Sequence, residues 1–223
     1  IFSNASLKHG GNGSFELVSV SGPAQASSGD ASTCQDTSYF ATGRTSTLTH
    51  QSRKGGSVTG SYRSVTEVVG PQTFSGQSAI AEKYTSTVLS GPGSGTTSTG
   101  FSYYQVQGLK EYSIGSFGSD ITSVYSPPMV FDYSVSSGQS FTTTYTITST
   151  GKGFSSSSTM TSTVTFQGFE DVTVPAGTFA AACKWLTSQT TPGATPYTYT
   201  MWNTNKGVNL KIQSGDEITE LVS

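Results

Sequence analysis

Charge is scarce in this chain, with 11 Lys and Arg and 13 Asp and Glu among 223 residues and a net charge of −2. The basic residues form no cluster, which excludes the electrostatic footprint of a nucleic-acid-binding protein. Histidine is scarcer still. His9 and His50 stand in polar segments that read as exposed, without a second histidine or a carboxylate at ligand spacing, so no metal site is expected. No apolar run approaches the ~20 residues of a membrane-spanning helix, and the first residues lack the charged-then-apolar order of an export signal. Only two cysteines are present, Cys34 and Cys183, and they fit no metal-binding spacing. In an oxidising compartment they are expected to form a disulfide, closing a loop of roughly 150 residues.

Catalytic patterns are missing as well. Gly93-Ser94-Gly95 is a glycine-rich turn, not the strand-to-helix elbow of a serine hydrolase. Glu170 and Asp171 are adjacent, so on a strand they face opposite sides, whereas a glycosidase needs two carboxyls aimed at one cleft. The sequence nominates no catalytic residue, no metal ligand and no cofactor, and a non-enzymatic protein is expected.

What is abundant is hydroxyl and glycine: 39 Ser, 35 Thr and 26 Gly. Such a bias suits a disordered stalk, but 11 Tyr, 12 Phe and 2 Trp recur between the threonine runs. Threonine alternating with aromatic residues is strand chemistry, and it predicts an ordered all-β protein. The length suits one such domain. Residues 1–37 read as a Gly/Ser-rich leader or tether carrying one strand at Phe15 to Val20, and 38–223 as a single antiparallel β domain.

Period-two alternation predicts a half-buried strand over Val58 to Val69, then one over Ala79 to Val88 after the Gly70-Pro71 and Ser75-Gly76 breaks. A hairpin is expected across Gln107-Gly108. Ser126-Pro127-Pro128 marks an excursion that cannot lie in a central strand. Phe131, Tyr133 and Val135 are expected to pair with Phe141, Thr143, Tyr145 and Ile147 as a hairpin. Met160, Ser162, Val164 and Phe166 line one face of a strand ending at Gln167-Gly168. Phe179 to Leu186 is apolar on both faces, as in a central strand. Three further strands, at Tyr197 to Met201, Val208 to Ile212 and Ile218 to Val222, bring the count to ten to twelve, with at most a minor helix. No fixed-period repeat appears, against a propeller or solenoid.

The most specific string is Val172-Thr173-Val174-Pro175-Ala176-Gly177-Thr178-Phe179. Pro175 lacks a ladder donor and Gly177 can take positive φ, so the two mark a sharp structural corner between strands. Here the chain resembles a family of bacterial envelope proteins of unknown function, often lipoproteins, related to the LolA/LolB-like lipoprotein-carrier superfamily. The likeness extends to Thr73 to Gln77, to Pro127-Pro128 and to Trp202, Gly207, Val208 and Lys211. It implies a LolA-like fold: a strongly curved antiparallel sheet forming an incomplete β-barrel whose concave apolar face accepts acyl chains.

The expected function is therefore that of an exported protein, periplasmic, secreted or outer-membrane associated, binding a lipid, a lipidated partner or another apolar ligand in a concave groove. Phe141, Tyr145, Ile147, Val164 and Phe166 are the candidate groove residues, because they alternate on two neighbouring strands. The alternatives are a carbohydrate-binding or adhesive module, motivated by Tyr103-Tyr104 and Tyr197/Tyr199, and a structural surface protein.

Overall fold

The structure, a computed structural model, describes residues 4–9, 15–21 and 29–223. β1 (Asn4–His9) and β2 (Phe15–Ser21) pair as a two-stranded antiparallel ribbon. Among the described residues, twelve further strands form one up-and-down barrel: β3 (Thr45–Lys54), β4 (Ser57–Phe74), β5 (Gln77–Ser90), β6 (Thr97–Gln107), β7 (Lys110–Gly118), β8 (Ile121–Asp132), β9 (Ser140–Gly151), β10 (Phe154–Val174), β11 (Gly177–Thr190), β12 (Tyr197–Asn203), β13 (Asn209–Ser214) and β14 (Glu217–Leu221). Each strand pairs with its sequence neighbour, and β14 returns to β3. The barrel sheet is thus closed, not incomplete. The minor helix is two 3₁₀ turns, Ala31–Cys34 and Thr37–Phe40, each capped by an aspartate, Asp30 and Asp36.

Several local expectations change. Gly70-Pro71 lies inside β4, where a bulge absorbs it, and the turn falls at Ser75-Gly76. Gln167-Gly168 likewise marks a bulge, and β10 continues to Val174. Pro127-Pro128 lies within β8, but the ladder to β9 stops at Ser126, since proline supplies no N–H to extend it. Residues 133–139 do not pair with β9. They form a loop that receives the segment before β3 instead: Ala31 N donates to Val135 O (2.9 Å) and Ser137 N to Gly29 O (3.0 Å).

Register decides what faces inward, because directly paired residues share a face. One inward row runs Phe166, Trp185, Met201, Ile212, Thr219, Ser52. The opposite wall carries the row Glu82, Ser102, Ser116, Ser123, Ser149. The lumen is therefore apolar on one side and hydroxyl-rich on the other. Outside, threonines face each other across β9 and β10, with hydroxyls of Thr142 and Thr163 and of Thr144 and Thr161 3.0 Å apart. This is where much of the threonine goes: β-branched methyls suit the pleat, and the hydroxyls suit water. No apolar band of the kind a lipid-facing barrel wall needs covers these two strands.

About eight strands suffice for side chains to fill a barrel. Twelve leave space, which must be plugged or remain open. The segment 29–44 supplies part of the plug. Ala31 is fully buried, and Cys34 is disulfide-bonded to Cys183 on β11, Cα atoms 6.0 Å apart. Around this tie Phe166, Trp185, Val164, Phe131 and Phe141 form an apolar, largely aromatic cluster, and burial of a ring such as Phe166 contributes about 1.5–3 kcal/mol.

Candidate functional site

Of the groove residues expected from sequence, Phe141, Val164 and Phe166 share one cluster, whereas Tyr145 and Ile147 lie farther along β9 beside Tyr125. Phe166, Val164 and Tyr145 are buried, and Phe141 leans against Phe131. The Tyr145 hydroxyl meets the Met160 sulfur at 3.8 Å, and Tyr145 stacks obliquely on Tyr125. Ile147 pairs with Tyr125 on the same inner face. Pro175 and Ala176 form the two-residue tip between β10 and β11, with Gly177 at φ +135°. Tyr103 is stacked on Phe74 at 4.0 Å and buried, so it presents no ring to a sugar, and Tyr104 faces the lumen. Tyr197 is 55 % exposed, its ring 5.7 Å from Tyr199. Glu170 is paired with Lys184 (2.7 Å), and the Asp171 carboxylate accepts from Ala181 N (2.8 Å), so both acids serve the hairpin. His50 is buried, not exposed: Nε2 lies 3.1 Å from Asn209 O and the ring stacks on Tyr62, and burial pushes its pKa down. His9 lies outside the residues whose side chains are described.

The open part of the lumen lies elsewhere. A cavity of about 380 Å³ is bounded by Tyr104, Glu111, Tyr125, Met129, Phe131, Tyr133, Met201 and Asn203 among others. A second space, of about 160 Å³, shares Tyr104, Glu111, Tyr133 and Asn203 with it and reaches the plug at Gln35, Tyr39 and Phe40. Four shared walls make these one site with a mouth beside the disulfide.

One carboxyl, Glu111 from β7, lines both spaces, and a second, Glu82 from β5, is joined to the site through Tyr39. The Tyr39 hydroxyl donates to Glu82 (2.9 Å), and the Arg44 guanidinium lies over the Tyr39 ring, 4.2 Å from its centre. Glu82 is thus buried with a phenol and a cation on its side of the cluster; burial pushes its pKa up, against the Tyr39 hydrogen bond and the Arg44 charge. Glu111 is placed differently. The Tyr133 hydroxyl approaches it at 3.5 Å, a long contact, and among the described residues no cation pairs with it. Burial pushes its pKa up to about 7, with the Glu82 charge adding to the effect. Burial also raises Tyr39, Tyr104 and Tyr133, so these phenols stay protonated and act as donors. Among the described residues, no three His, Cys, Asp or Glu side chains converge as metal ligands.

Sequence reading missed this constellation. Its one local trace is Glu82, an acid set between Ile80 and Tyr84 on one face of a strand. The other partners, Glu111, Tyr39, Tyr133 and Arg44, come from distant elements, and Tyr39 and Glu82 are 43 positions apart.

No protein-family model matches the chain, and no curated protein does. Two solved structures are similar to it. A candidate lipoprotein from Parabacteroides distasonis superposes with a TM-score of 0.52 at 14% identity, over 85% of this chain and 99% of that one. A candidate exported protein with YmcC-like fold from Bacteroides fragilis gives 0.45 at 14% identity, over 79% of this chain and 93% of that one. At this identity the first likeness shows a shared fold.

Proposed function

We propose that this chain is a non-enzymatic, exported cell-envelope protein whose closed barrel holds a small amphipathic ligand in its lumen. The observation carrying the proposal is the cavity of about 380 Å³, in whose wall Met129, Phe131 and Met201 alternate with Ser113, Glu111 and Asn203. A cavity with convergent polar groups among apolar ones is the usual form of a small-molecule site. Export is supported by the buried disulfide, a bond that persists in oxidising compartments, and by the fold shared with a candidate lipoprotein. The resemblance to lipoprotein carriers contributes the idea of an apolar guest. Here the guest would enter a closed lumen beside Phe131 and Met201, since Phe166, Val164 and Tyr145 are already packed.

The test is binding of Nile red, a neutral solvatochromic dye, to the purified protein. Enhanced, blue-shifted emission is expected, and Met201→Trp, which fills the cavity, is expected to remove it while leaving the far-ultraviolet circular dichroism unchanged. Equal dye response in the filled variant overturns the lumen site.

A further inference from the structure

The two halves of the lumen cluster are built alike but are not equally complete. Glu82 has a phenol donor, Tyr39, and a cation, Arg44, which lies on the ring of that same phenol. Glu111 has a phenol neighbour, Tyr133, and a second ring, Tyr104, beside it in the cavity wall. Among the described residues it has no cation. Lys110, its neighbour in sequence, points to the other face of β7 and pairs with Asp132 at 3.1 Å. A buried carboxylate without a counter-charge is costly, and a cation among aromatic faces gains from both carboxylate and rings.

The site therefore offers a place for a positive charge near Glu111, with Phe131 and Met201 available to an apolar body.

We infer that the lumen site takes a small organic ammonium compound, its cationic head occupying beside Glu111, Tyr104 and Tyr133 the place that Arg44 occupies beside Glu82 and Tyr39. This rests on the lumen being a ligand site and names the chemistry of its occupant. A ligand of this class neutralises the unpaired carboxylate without displacing the Glu82 half, which already has its cation.

The experiment compares choline with 3,3-dimethylbutan-1-ol, a neutral molecule of the same shape and with the same hydroxyl, by isothermal titration calorimetry on the disulfide-intact protein. Choline is expected to bind about tenfold or more tightly than the neutral compound, and Glu111→Gln is expected to abolish that preference with the circular dichroism unchanged. Equal affinity for the two compounds overturns the ammonium inference and leaves the lumen site standing. Binding of neither, in protein that still takes up Nile red, also overturns the inference alone; loss of the dye as well would remove the lumen reading on which it rests.

Discussion

Cys34 and Cys183 join the plug to the barrel wall: their Cα atoms are 6.0 Å apart across 149 positions of sequence, and Cys183 is fully buried. Closing so long a loop removes unfolded-state entropy worth up to about 5 kcal/mol in the chain-entropy model, and usually less in practice. For a chain of this length each kcal/mol moves Tm by about 2–4 °C, so Cys183→Ser is expected to lower Tm on the order of 10 °C. Thiol titration checks the bond itself. No thiol is expected in the unreduced protein even in denaturant, and two should appear after reduction; two thiols without reduction would refute the bridge.

The tip between β10 and β11 allows a sharper test of backbone strain. Gly177 sits at φ +135°, and a Cβ there meets nothing within 4 Å. Any penalty for a side chain is therefore conformational and not steric. Gly177→Val is expected to cost about 1–3 kcal/mol, and Ala176→Val, at an exposed position, much less. Urea denaturation of the two variants gives the comparison, and equal small effects would mean that the tip relaxes freely.

The strands were legible where alternation was strong, as at Met160 to Phe166 and Phe179 to Leu186, because the pleat imposes a period of two on any half-buried strand. Their ends were less so. Gly70-Pro71 and Gln167-Gly168 read as breaks, yet both are bulges inside longer strands, and local composition does not separate a bulge from a turn. Closure was hidden for another reason: it depends on β14 pairing with β3, a contact between opposite ends of the barrel with no local signature. The lumen cluster was hidden in the same way. Phe141, Tyr145 and Val164 announce themselves as apolar, whereas Glu82 and Glu111 are ordinary surface-type residues until register turns them inward, and Tyr39 reaches Glu82 from the 3₁₀ turn Thr37–Phe40.

Ala181 is the one non-glycine residue of the β10–β11 hairpin in the left-handed region, at φ +49°. It stands in the register shift opposite Asp171, whose carboxylate accepts its N–H at 2.8 Å. A left-handed alanine costs roughly 1–2 kcal/mol relative to its ordinary conformation, so Ala181→Gly is expected to stabilise the protein by up to about 1 kcal/mol. Asp171→Ala, which removes the acceptor holding the bulge, is expected to destabilise by a similar amount. Destabilisation by Ala181→Gly in chemical denaturation would show that the methyl packs usefully.

Glu111 makes stability depend on pH in a predictable sense. The groups facing it are Glu82 on β5, Tyr104 on β6, Tyr133 after β8 and, from the plug side, Tyr39, while Arg44 acts on Glu82. Burial raises its pKa from 4.5 to about 7, so the folded state holds the proton more tightly than the unfolded chain. Stability is then unaffected below the unfolded value, falls as pH rises between the two, and stays lower above about 7, a loss on the order of 3 kcal/mol at most. Glu111→Gln keeps the shape and removes the charge. The variant is expected to melt at a higher temperature than wild type at pH 8 and at nearly the same temperature at pH 4, in calorimetric scans at the two values. A difference of the same size at both would show that the carboxyl is solvated in the folded protein. A residual slope from Glu82 remains in either chain, because burial raises that carboxyl too.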